Sequence, residues 1–158
     1  MSKAMPAMIP VRVEARGQKS VQEVSVPGKP YKIMADTQKE VGGTDTAPTP
    51  VAICLASLSS CAQMIAFVIA QAQGITLGEW NITAEGTVAN PAMLAEGEAH
   101  SGWETIDLHV SVQTDIPGGS EAQKFKEFVA LVEQKCPMTG FFRRGVSTYR
   151  SEWVNKSL

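Results

Sequence analysis

Thr49 to Gly74 reads TPVAICLASLSSCAQMIAFVIAQAQG. A threonine followed by proline is a helix start: the hydroxyl caps free N–H groups, and proline's missing N–H costs nothing at the first helical position. Gly74 supplies the stop, since glycine readily takes the left-handed conformation of a C-cap. The sequence therefore predicts one helix from Pro50 to about Gln73. No charged residue occurs between Asp45 and Glu79. The stretch is long enough to cross a bilayer, but Ser57, Ser59, Ser60, Gln63, Gln71 and Gln73 dilute it and no basic residues flank it. A helix apolar nearly all round otherwise belongs to a large core. A chain of 158 residues is small for surrounding such a helix alone. The expectation is a central helix covered by sheet and by a partner subunit.

Strand patterns lie on both sides. VRVEAR (Val11–Arg16) alternates apolar and charged residues, Gly17-Gln18 reads as a turn, and Val21, Val24 and Val26 mark a second strand. PGKP (Pro27–Pro30) is another turn, and YKIMAD places Tyr31, Ile33 and Ala35 on one side of a third strand. Beyond the helix, WNITAEGTV (Trp80–Val88) alternates, and a polar connection runs from Asn90 to Ser101. TIDLHVSVQT (Thr105–Thr114) has the cleanest period of two, with Ile106, Leu108, Val110 and Val112 inward. Ser120 and Gln123 are spaced as a capping box. The helix they open carries a stripe of Phe125, Phe128, Val129, Val132 and Cys136, and Pro137 ends it. A final strand is expected at about Val146–Trp153. The order β-β-β-α-β-β-α-β is an α+β arrangement of antiparallel sheets on helices, read as a single domain over residues 1–158.

Composition narrows the function. The chain is 44% hydrophobic and 19% charged, a balance that supports a folded core. With 14 basic against 16 acidic residues the net charge is -2, and the densest basic cluster is Arg143-Arg144. Grip on nucleic acid or an anionic membrane needs clustered Lys and Arg, so neither is expected. MSKAMPAMIP lacks a continuous apolar segment and does not read as a signal peptide. Cys54, Cys61 and Cys136 are odd in number and widely spaced, which suits reduced thiols in a cytoplasm better than a disulfide framework.

Each thiol also fits the role of a small buried hydrophobe, Cys54 best of all. Cys61 stands among Ser57, Ser59, Ser60 and Gln63, the polar patch of an apolar helix, which points to a pocket. It lies about three turns inside the helix, beyond the dipole's useful reach, so a reactive thiolate there needs a nearby cation. Cys136-Pro137 fixes another thiol at a helix end; spacing alone does not pair it with Cys61. His109 falls on the polar side of its strand with Asp107 and Ser111, and His100 in a polar loop. No Cys-x-x-Cys or paired His spacing supports a metal, and no cofactor is expected.

Gly42-Gly43-x-Asp45-x-x-Pro48-x-Pro50, an Ala/Leu/Ser-rich helix reaching Cys61, the Gly74-Ile75 exit and the late Cys136-Pro137 together resemble the OsmC/Ohr family, the osmotically induced and organic-hydroperoxide-resistance proteins. The resemblance covers roughly residues 10 to 154. It implies an intertwined homodimer in which long central helices are wrapped by sheets of both chains. It implies that Cys61 is peroxidatic and Cys136 resolving, that a small apolar hydroperoxide is the substrate, and that a dithiol is the reductant. An arginine from the N-terminal strands stabilises the family thiolate, and Arg16 matches it by position. A glutamate one or two residues after the Pro50 position holds that arginine in the family; here Val51 and Ala52 stand there, with Glu14 or Glu23 as possible substitutes. The function expected is a thiol-dependent peroxidase for organic hydroperoxides. The alternative is a non-peroxidatic protein of the same fold that binds a small apolar ligand at the dimer interface, which the apolar Val51 and Ala52 favour.

Overall fold

A computed structural model describes residues 7–90 and 102–158. The polar connection expected after Asn90, with His100 in it, lies outside the described residues. The chain forms two compact units, residues 1–53 and 54–158.

The first unit is a three-stranded antiparallel meander of β1 (Glu14–Gln18), β2 (Val21–Ser25) and β3 (Lys32–Ala35). The turn between β1 and β2 falls at Lys19-Ser20, with Lys19 at φ 55°, not at Gly17-Gln18. Gly17 pairs with Gln22 inside the ladder, and a Cβ there would lie 2.7 Å from the Val21 carbonyl oxygen. That glycine answers a close approach rather than a turn. Pro27 and Gly28 do turn the chain: the Lys29 N–H donates to the Val26 carbonyl at 3.0 Å, and Gly28 takes φ 78°, as a type II turn requires. Register places Ala15, Val24 and Ile33 on one face and Arg16, Glu23 and Met34 on the other. Ala35 is the one fully buried residue among these strand positions.

After β3, Asp36 organises the loop that leads to the long helix. Its buried carboxylate accepts the N–H and hydroxyl of Thr44 and the N–H and hydroxyl of Thr46, the last two at 3.0 Å. Its own N–H donates to the Pro48 carbonyl at 3.1 Å. These donors favour the charged form and hold the carboxyl far below the usual range, the Thr44 hydroxyl contributing most. The loop is thus clamped before the helix starts.

α1 (Pro50–Gln73) begins as the sequence predicts. The Thr49 hydroxyl accepts the Ala52 N–H at 3.3 Å, and Gly74, at φ 65°, stops the helix while the Ile75 N–H returns to the Ala70 carbonyl at 2.9 Å. By length and composition α1 is a candidate membrane span, yet here it packs as a core helix along one face. That face is Leu58, Ala62, Ala66, Ile69 and Ala70, while Met64, Phe67 and Val68 on the opposite side are exposed.

In the second unit, β4 (Leu77–Val88) pairs antiparallel with β5 (Trp103–Thr114), which pairs parallel with β6 (Thr148–Ser157). This sheet is therefore mixed, within the α+β class expected. A parallel neighbour needs a crossover, and α2 (Gln123–Lys135) with α3 (Pro137–Gly145) provides it. Ile106, Leu108, Val110 and Val112 are at most 2% exposed and meet Phe125, Phe128, Val132 and Phe142 in one core. Two details differ from expectation. Ser120 does not cap α2; it sits in a 3-10 turn (Gly119–Glu121), and its hydroxyl accepts the Asn155 N–H at 2.9 Å, pinning β6. Pro137 opens a further helix instead of leading to the last strand.

Candidate active site at the two thiols

Cys61 lies on α1, partly buried, and Cys136 is buried at the junction of α2 and α3. The junction is made by local chemistry. Cys136 takes an extended conformation (φ -76°, ψ 112°), closing α2 through its N–H to the Val132 carbonyl at 2.9 Å. It also caps α3, because its Sγ accepts the Thr139 N–H at 3.4 Å and Pro137 occupies the first helical position. Cysteine is not among the preferred capping residues, so the start of α3 was hard to see. The proline just inside the helix was the available signal.

The fold brings Cys61 and Cys136, 75 positions apart in sequence, close enough for each thiol to feel the other. Met138, in the first turn of α3, turns its N–H toward the Cys61 thiol. Burial pushes the Cys61 thiol up, the neighbouring Cys136 pushes it further, and the Met138 N–H acts in the opposite direction. Cys61 is therefore not activated by its surroundings within this unit. Cys54 is partly buried and packs against the core.

The serine hydroxyls near Cys61 turn back onto their own helix. Ser57 donates to the Cys54 carbonyl at 2.6 Å, Ser59 to Ala56 at 3.1 Å and Ser60 to Ala56 at 2.8 Å. Such hydroxyls bond back onto their own helix and leave little for a ligand. The groups near the second thiol were missed by sequence reasoning because they come from three elements. The Tyr149 hydroxyl of β6 is buried beside Thr139, with the phenol pushed up by burial. Glu133 of α2 accepts Arg143 of α3 at 2.6 Å and also the Ser151 hydroxyl of β6. Arg143 lies 5.2 Å over the Tyr149 ring.

Arg16 belongs to the first unit. It is opposite Glu23 in register and bonds it through Nε at 3.1 Å and Nη2 at 2.8 Å. Lys32 reaches the same carboxylate oxygen at 2.8 Å. Lys32 and then Arg16 hold Glu23 below the usual carboxylate range. No acidic residue stands in the first turn of α1. His109 is on the exposed face of β5, 3.3 Å from Glu152, and Arg150 pairs there with Asp107. Among the described residues no three His, Cys, Asp or Glu side chains gather as a metal site.

A family model described as OsmC-like protein matches residues 43–149. No curated protein sequence matches the chain. Among solved structures, an OsmC-like protein from Mycoplasma pneumoniae is 20% identical with a TM-score of 0.70, covering 98% of this chain and 99% of its own. An organic hydroperoxide resistance protein OsmC from Legionella pneumophila is 22% identical with a TM-score of 0.64, covering 92% of this chain and 98% of its own. An organic hydroperoxide resistance protein from Elizabethkingia anophelis is 19% identical with a TM-score of 0.68, covering 96% of this chain and all of its own. At these identities the likeness speaks for the fold.

Proposed function

The chain belongs to the OsmC-like family, and on that premise we propose that it is a thiol-dependent peroxidase reducing organic hydroperoxides through Cys61 and Cys136. The observation that supports this most is the approach of these two thiols, far apart in sequence, in a chain that has only three. In the proposed reaction the Cys61 thiolate attacks the terminal peroxide oxygen. An S–O bond forms, the O–O bond breaks, and the alkoxide leaves as an alcohol after taking a proton. Cys136 then attacks the sulfenic sulfur, water leaves, and the resulting disulfide is reduced by a dithiol.

Because burial and Cys136 both disfavour the Cys61 thiolate, the peroxidase needs a cation. Arg16 is proposed for that role, with Glu23 taking the place of the family carboxylate that Val51 and Ala52 have displaced. Residues 1–158 are proposed as one OsmC-like domain acting in the cytoplasm as an intertwined homodimer. The exposed apolar side of α1, with Met64, Phe67 and Val68, gives the partner a surface to cover, and an apolar interface suits an alkyl or fatty-acid hydroperoxide. A second reading, a ligand-binding protein without peroxidase chemistry, is favoured by the upward shift of Cys61.

Steady-state consumption of an alkyl hydroperoxide with a dithiol reductant tests the choice. Peroxidase activity predicts turnover in the unmodified protein and loss of at least about 100-fold in Cys61→Ser. Turnover that survives Cys61→Ser, or none in the unmodified protein, contradicts the proposal.

A further inference from the structure

The junction of α2 and α3 is a corner one residue wide. Cys136 alone is extended between Lys135, which ends α2, and Pro137, which opens α3. α3 has nine residues, too few for a helix to hold its course without outside contacts. Whatever fixes the angle between the two helices therefore fixes where the Cys136 sulfur stands. One ion pair crosses the corner: Glu133, just before it on α2, accepts Arg143 of α3 at 2.6 Å. Both ends of that bridge are also tied to β6. The Ser151 hydroxyl donates to the second oxygen of Glu133, and the Arg143 guanidinium stands 5.2 Å from the centre of the Tyr149 ring, a cation over a π face. Tyr149 and Ser151 are two positions apart on one face of β6, and the ladder sets them opposite Ile106 and Leu108 of β5. The Glu133 side chain is only 14% exposed, so water screens this pair less than a pair at the surface.

We propose that Glu133 and Arg143 are positioning residues for the second thiol: their bridge, anchored on Ser151 and Tyr149, sets the α2–α3 corner and keeps Cys136 within range of Cys61. Neither residue exchanges a proton or an electron in the reaction. The other ion pair of α2, Lys126 with Glu121 at 2.7 Å, lies toward the opposite end of the helix and does not span the corner.

The catalytic consequence rests on the peroxidase reading above. When Cys61 has become a sulfenic acid, the Cys136 sulfur attacks it. The S–S bond forms, the S–O bond breaks, and the departing hydroxide takes the Cys136 proton to leave as water. The rate of that step depends on how often the second sulfur stands in line with the first. With the corner braced, the sulfenic acid is short-lived, and a second peroxide has little time to oxidise it to the sulfinic acid. Activation of Cys61 and placement of Cys136 are then separate devices, supplied by different arginines.

Redox titration against glutathione tests the brace without any peroxide. Cys54→Ser leaves two thiols, and the protein is equilibrated with reduced and oxidised glutathione until the Cys61–Cys136 disulfide fraction is constant. Arg143→Ala in that background is expected to lower the equilibrium constant for closing the disulfide about tenfold, a rise of about 30 mV in reduction potential. Arg143→Lys, which keeps a cation for the Glu133 carboxylate, stays closer to the parent than to Arg143→Ala. Glu133→Gln, which keeps the shape and removes the charge, shifts the constant in the same direction as Arg143→Ala and decides the matter if that variant does not fold. Lys126→Ala, which breaks the ion pair away from the corner, leaves the constant unchanged. An unchanged constant in Arg143→Ala and Glu133→Gln, an equal fall in Lys126→Ala, or no rescue by lysine overturns the proposal. In a single turnover with an alkyl hydroperoxide and a sulfenic-acid trap such as dimedone, Arg143→Ala is expected to accumulate more trapped Cys61 while the first oxidation keeps its rate. A protein that titrates as expected but ignores hydroperoxides rejects the peroxidase reading and leaves the brace standing.

Discussion

The meander β1–β3 and the strand β5 carry the same period-two alternation, yet one has a core and the other does not. On β5, Ile106, Leu108, Val110 and Val112 are sealed under α2 and α1. On the meander, Val13 and Ile33 share the apolar face by the same arithmetic but are 55% and 45% exposed. The comparison teaches that alternation fixes which residues share a face, while the covering element decides whether burial follows. α1 shows the same division on a helix, with one side in the core and Met64, Phe67 and Val68 exposed. In the proposed homodimer the partner covers these surfaces.

The largest effect that sharpens this contrast is expected at Phe128, which is 0% exposed. Phe128→Ala leaves a cavity and costs about 3–5 kcal/mol, read as a lower urea midpoint with an unchanged slope. Ile33→Ser on the meander leaves the fold of the single chain nearly unaffected and instead weakens self-association, as light scattering across a concentration series measures. A large urea shift in Ile33→Ser with self-association intact would break the comparison. Gly43→Ala comes next, because a Cβ there would stand 2.0 Å from the Thr37 carbonyl oxygen, which belongs to backbone. The loop must shift, and thermal unfolding is expected at a clearly lower temperature than in Gly42→Ala's neighbour-free setting, where strain comes from φ 88° alone.

Asp36 gives a smaller effect with a defined pH sign. Its folded carboxyl lies far below the usual range, so it contributes stability above the unfolded value of about 3.9 and loses it as pH falls toward the folded one. Asp36→Asn therefore flattens the acid limb of a stability-against-pH curve below about pH 4. An unchanged limb contradicts the clamp described for the loop. The smallest effect is at the helix start: Thr49→Ala removes the acceptor for the Ala52 N–H and costs about 1 kcal/mol, within reach of paired denaturation curves.

Much of this architecture was legible beforehand. Thr49-Pro50 and Gly74 mark the ends of α1 because caps are local chemistry, and the inward residues of β5 follow from spacing alone. The parallel β5–β6 pair and α3 were not legible. Pro137 obeys both a helix-ending and a helix-starting rule, and only the thiol of Cys136, an unusual cap, selects the second. Ser120 matched a capping box but was taken by the Asn155 N–H, a contact 35 residues away. At the site, Cys61 and Cys136 could be named singly from their contexts. Their approach depends on how α1 packs against the α2–α3 junction, which no local pattern encodes. The serines around Cys61 bond to helix carbonyls, a contact that spacing on a helix does not announce.

The most direct measurement treats the reduced protein with one equivalent of an organic hydroperoxide and maps its peptides by mass spectrometry without reductant. The account predicts rapid formation of a Cys61–Cys136 disulfide that is absent in Cys61→Ser, with Cys54 unmodified. Thiols left untouched by the hydroperoxide, or a disulfide involving Cys54 instead, contradict it.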